Sequence, residues 1–259
     1  MEHKRIFEKK NPIGQSLLYM LIPISTAILS GAIVSILKLE GIVVRAVQAV
    51  FFVIAFVIAL IVAKKEGGAL ANVGFSSKKN VDKWLILAIG INLLVYPFNF
   101  KNGFNKELSP IYVLVSFVFA LVVGFTEETV FRGLIYRTLR YRGLSFAVLL
   151  SSFIFGAGHF ATILGGANPL YATIQVTFAC LIGLFFVLLV VKTRSLKIPI
   201  VLHALHNFTE YLRAGLSFKE EALFGGIACL LLLIGSLILW KSLSDDDKRA
   251  VTIDGSIRD

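Results

Sequence analysis

Charge is scarce in this chain. Only 16% of its 259 residues are Asp, Glu, Lys or Arg, against roughly 25% in an ordinary soluble domain, so most of the sequence cannot form a water-facing surface. Cysteine is scarcer still. Cys180 and Cys229 are the only two, both inside apolar runs, where they read as small buried hydrophobes and not as a disulfide framework. No internal repeat is present, and the apolar stretch after Gln15 is too long for the 7–15-residue core of a cleaved signal peptide. The net charge of +10 comes with no base-stacking motif and no basic face, which argues against nucleic acid as a partner.

What is abundant is apolar sequence, at 57% of residues. It falls into successive stretches near the ~20 residues that a bilayer-spanning helix needs, separated by short polar or basic breaks. Spans are expected near 16–37, 42–63, 83–100, 111–134, 144–163, 170–191, 198–214 and 222–241. The fold expected is therefore an all-α membrane protein, a transmembrane bundle of about eight helices forming one polytopic domain over residues 1–259. The lysines and arginines gather before the first span and after the second, fourth, sixth and eighth, as in Lys64-Lys65, Arg137, Arg140, Lys192, Arg194 and Lys241. That alternation places both termini in the cytoplasm. Residues 244–259 read as a solvated cytoplasmic tail, because the run Asp245-Asp246-Asp247-Lys248-Arg249 has no evident means of burying itself.

Three spans contain groups that hydrocarbon rejects. The fourth carries Glu127, Glu128 and Arg132, each costing roughly 2.5–3.5 kcal/mol at a helix centre on insertion scales. Glu128 and Arg132 are four apart and can pair, whereas Glu127 points about 100° away and lacks that partner. The fifth carries His159 after Gly156 and Gly158, where missing side chains permit another backbone to come close. The seventh carries His203 and Asn207 on one face, with His206 turned partly elsewhere. These groups are best satisfied by facing one another around a wet cavity. A carboxylate with two imidazoles suits hydrolysis, the carboxylate taking a proton from water while imidazole or amide groups steady the oxyanion. Zinc accepts the same ligands, with Glu127, His159 and His203 as the candidate set, so a metal-bound water and a water activated by Glu127 alone both remain open.

In that order, Glu127-Glu128-x-x-x-Arg132, Phe155-x-x-x-His159 and His203-x-x-x-Asn207 resemble the CPBP intramembrane metalloprotease family, which includes the CAAX prenyl endopeptidases and the bacterial abortive-infection proteins. The resemblance covers residues 112–212. It implies a protease core in which Glu127 activates water, His159, His203 and Asn207 bind the oxyanion or a metal, and Glu128 and Arg132 organise the site. The implied substrate is a membrane-associated peptide or protein, prenylated or not, cut near its C-terminus at a site opening toward the cytoplasm. His206 falls outside the pattern and reads as packing. With the fifth span running outward, His159 lies beyond its midpoint, so a kink or re-entrance near Gly156 and Gly158 is expected. Two other readings are an ion- or proton-coupled transporter and a non-proteolytic immunity or scaffold member of the same family. The polar groups lie in spans four, five and seven with no counterpart in the first three, which favours the enzyme over a transporter built from paired halves.

Overall fold

The computed structural model describes residues 10–67, 70–75, 82–160 and 169–249. Lys4, Arg5 and Lys9, Lys78 and Lys79, most of the uncharged stretch after Phe160, and residues 250–259 lie outside them. Capping chemistry in the loops sets where helices begin. Asn11 accepts the Gly14 N–H at 2.9 Å and Pro12 opens α1 (Pro12–Ile36), since proline's missing N–H is no loss at a first turn. After α2 (Ile42–Gly67) and α3 (Asp82–Asn99), Ser109 accepts the Tyr112 N–H and Pro110 opens α4 (Pro110–Arg140). Then follow α5 (Leu144–Gly158), α6 (Pro169–Thr193), α7 (Lys197–Leu212) and α8 (Phe218–Lys241), the last entered through a capping box of Ser217 and Glu220.

These eight helices correspond one to one with the expected spans. Five of them (α1, α2, α4, α6 and α8) are long and apolar enough to cross a membrane, while α3, α5 and α7 are shorter. Large apolar side chains face outward, as with Leu18 at 60% and Ile61 at 61% exposure, whereas Glu128 is 0% and Arg132 2% exposed. That inversion suits lipid as the surrounding solvent. The chain is a multi-pass membrane protein.

A ninth helix among the described residues, α9 (Asp245–Lys248), corrects the reading of the tail. Asp245 and Asp246 are exposed, but the run turns Asp247 inward. Lys192 of α6 donates to Asp247 at 2.6 Å and to the Ser242 carbonyl at 2.9 Å, and Asp247 is buried. Arg140 reaches the carbonyls of Lys248 at 2.5 Å and Arg249 at 2.9 Å. A charged run can bury part of itself when counter-charges wait at the ends of α4 and α6.

α4 packs against α2 and α7, and α6 against α5 and α8, with Leu134, Ile135, Phe185 and Phe186 in the core between these groups. The two ends of the bundle differ. One gathers Lys64, Lys65, Arg137, Arg140, Lys192 and Lys241 at helix ends. At the other, Phe104 and Arg213 form an isolated antiparallel bridge, Asn102 donates to the Gly215 carbonyl at 2.9 Å, and Lys101 pairs with Glu220.

Candidate active site

Two close approaches build the site. At Gly124 of α4, a Cβ would sit 3.0 Å from the Ile200 carbonyl oxygen and 3.2 Å from the Ala204 nitrogen, so only glycine lets α7 lie this near. About one turn later come Glu127 and Glu128, which that contact sets opposite His203. At Gly156 of α5, a Cβ would overlap the Cys180 sulfur and come within 3.0 Å of the Cys180 nitrogen. Gly156 thereby seats α5 on α6, as its expected role requires. Gly158 has only ordinary contact with Ile24.

The α winding of α4 gives way to a π segment over Thr129–Ile135, a rare geometry often found at functional sites. Within it Arg132 still reaches back to Glu128, Nη1 donating to Oε1 at 2.9 Å. Its Nη2 donates to the Gly183 carbonyl at 3.3 Å, and its guanidinium lies 4.3 Å from the centre of the Phe155 ring and 5.6 Å from that of Phe186. His203 joins the same carboxylate, Nδ1–H donating to Glu128 Oε1 at 2.8 Å. Glu128 is thus shared by a guanidinium and an imidazole, while its second oxygen, Oε2, is buried without a partner among the described residues.

On the opposite side of the imidazole, His203 Nε2 lies 3.7 Å from Glu127 Oε2. Glu127 is 16% exposed at its side chain, and no group hydrogen-bonds it among the described residues. The tally of Glu127, Glu128 and Arg132 with a neutral His203 leaves one negative charge, and Glu127 is the carboxylate free to carry it.

The α5 helix ends at Gly158 and turns at His159. The expected kink is therefore a helix end, which puts His159 at the tip of a short helix rather than midway along a spanning one. His159 Nδ1–H donates to the Phe155 carbonyl at 3.0 Å, and its ring meets the Phe155 ring edge-on at 5.0 Å. The Phe155 ring in turn meets His203 at 6.0 Å.

His159, His203 and Asn207 line one cavity of about 320 Å³. Glu127 is not among the residues lining it and communicates with it through His203. Sequence reasoning set His206 aside, yet it lines the same cavity and lies against Phe178, 5.0 Å between ring centres. Glu210, Tyr211, Arg213 and Glu221 line it as well. These were missed because charges at helix ends read as interfacial; the three-residue spacing of Glu210 and Arg213 was the available signal.

The cavity occupies the half of the bundle bounded by the ends of α3 and α7 and the starts of α6 and α8. This is the end with the Phe104–Arg213 bridge, away from the basic end. A cytoplasmic opening and a cytoplasmic basic end thus cannot both hold, and the geometry sets the cavity on the side opposite the basic cluster.

A metal was the other open possibility. Among the described residues no group of three or more His, Cys, Asp or Glu stands where it could hold an ion. Of the candidate set, Glu127 and His203 come together, 3.7 Å apart.

No curated protein matches the chain. Over residues 109–209, about two fifths of the chain, it matches the family model described as type II CAAX prenyl endopeptidase Rce1-like. That interval holds Glu127, Glu128, Arg132, His159, His203 and Asn207. Over those residues the chain is similar to the type II CAAX prenyl endopeptidases.

Proposed function

We propose that the chain is an intramembrane endopeptidase that hydrolyses a peptide bond near the C-terminus of a prenylated or other membrane-embedded peptide. The observation that carries this reading is the line Arg132, Glu128, His203, Glu127, which meets a cavity of about 320 Å³ at His203. Glu127 takes a proton from water as the water oxygen bonds to the scissile carbonyl carbon. The resulting oxyanion needs donors. Asn207 offers its amide N–H groups without titrating, but a neutral His203 has only a lone pair at Nε2, because its proton sits at Nδ1 toward Glu128.

The proton accepted by Glu127 therefore has a use on His203 Nε2, 3.7 Å away, a gap that a shift of under about 1 Å brings into hydrogen-bond range. The imidazolium so formed is flanked by Glu128 and faces the oxyanion. Collapse of the tetrahedral intermediate breaks the C–N bond, and the same proton leaves with the amine. Glu128 and Arg132 act by position, holding His203 in the tautomer this sequence needs. No step passes through a metal. We also infer from the basic clusters that both termini face the cytoplasm.

The test is cleavage of a panel of quenched prenylated and unprenylated peptides by purified protein, with and without a chelator. Cleavage that survives the chelator supports the metal-free scheme. Loss of cleavage that zinc restores would replace it with a metal-bound water, and cleavage of no peptide would remove the protease reading.

A further inference from the structure

The end of the cavity remote from His203 holds three charged side chains that the hydrolytic scheme does not use. Arg213 is largely buried and donates to Glu210 at 2.8 Å and to Glu221 at 2.6 Å. All three line the cavity. One guanidinium shared by two carboxylates leaves one surplus negative charge in a partly desolvated space. The other nearby cation, Arg45 of α2, lies against the Tyr211 ring, 4.1 Å from its centre, and is not among the residues lining the cavity. Lys101 is already paired with Glu220.

A second observation points the same way. Gln175 of α6 lines this cavity, and among the described residues its buried side-chain oxygen has no hydrogen-bond partner. An orphaned acceptor in the same cavity as surplus negative charge is satisfied by a ligand that donates, and is left unsatisfied by one that accepts. The rest of the wall is apolar, with Ile174, Phe178 and Phe224 among its members, and suits the methylene stem of a long side chain.

From these groups we infer that the remote end of the cavity is a specificity subsite for a lysine or arginine side chain of the substrate. Glu210 and Glu221 receive its charge, and Gln175 receives one of its N–H donors. His203 and Glu210 are seven residues apart on α7, about 10 Å at ~1.5 Å per residue. That distance is spanned by about three extended residues. The basic residue thus stands about three positions from the scissile bond. The subsite therefore selects a membrane peptide that carries a basic side chain about three positions from the cleaved bond.

This inference rests on the protease reading, and the experiment separates the two. Transmembrane peptides carrying Lys, Gln or Glu at the third position on either side of the cleaved bond are measured twice on the full-length protein in nanodiscs. Binding is read by anisotropy on the Glu127→Gln variant, and cleavage on the unaltered enzyme. The Lys peptide should bind on the order of tenfold tighter than the Gln peptide, the effect of one partly exposed charge pair, with the Glu peptide weaker again. Introducing Glu210→Gln or Glu221→Gln should erase the preference, and each leaves Arg213 one carboxylate partner so that folding is retained. Equal binding of the three peptides, or a preference that survives both substitutions, overturns the subsite. A clear binding preference with no cleavage of any peptide overturns the protease reading and leaves the subsite standing.

Discussion

Replacing Glu128 with glutamine tests whether the polar line at the head of the cavity is one interacting unit. The carboxylate is fully buried and accepts from Arg132 at 2.9 Å and His203 at 2.8 Å through a single oxygen. An amide of the same size keeps an oxygen that can accept from both but carries no charge, which leaves the Arg132 guanidinium uncompensated at 2% exposure. Breaking a buried pair by removing one partner costs about 3–5 kcal/mol. Here the Phe155 and Phe186 rings and the Gly183 carbonyl still hold the guanidinium, contacts worth about 0.5–2 kcal/mol. The expected net loss is therefore about 2–4 kcal/mol. It can be read by steric trapping or SDS unfolding in bicelles. The double variant Glu128→Gln with Arg132→Met should recover at least about 1 kcal/mol of that loss, because it removes the stranded cation. A single-variant loss below about 0.5 kcal/mol, or strict additivity in the double variant, would refute the coupling.

Other substitutions probe the contacts that place the site. Gly124→Ala should cut cleavage at least about tenfold while the protein still folds, since a methyl 3.0 Å from the Ile200 oxygen pushes α7 and its His203 away from Glu127; activity and thermal unfolding on the same sample check this. Gly156→Ala should destabilise the seat of α5 on α6, and adding Cys180→Ala should restore part of the loss by removing the overlapped sulfur, as a thermal-shift double-mutant cycle would record. Asp247→Asn should release the C-terminal turn from Lys192, seen as faster trimming of the C-terminus by protease with little change in cleavage of substrate. Cysteines introduced at Lys106 and at Ser244 should label from opposite sides of the membrane, only the first from outside in intact cells; the reverse pattern would invert the topology.

Much of this architecture is legible in the chain because the bilayer imposes a coarse rule that apolar runs obey. The eight spans, and the pairing of Glu128 with Arg132, follow from periodicity alone, and the pair persists even though the intervening backbone is π-wound. What periodicity does not carry is which helices touch. The bond from His203 to Glu128 depends on α7 crossing α4 at Gly124, a fact about two faces 80 residues apart in sequence (204 − 124). The burial of Asp247 depends likewise on Lys192, 55 residues away. The same gap hid the charged end of the cavity, since Glu221 meets Arg213 only after α8 turns back on α7.

Glu127, which no group hydrogen-bonds among the described residues, is the proposed base. The most direct measurement is the cleavage rate of the purified Glu127→Gln variant, on the best peptide of the panel, beside its unfolding curve. The amide keeps the shape of the side chain but cannot take the water's proton, so the rate should fall by about 10²–10⁴ with the unfolding curve unchanged. A rate within a few fold of the unaltered enzyme, from an equally folded sample, would contradict it.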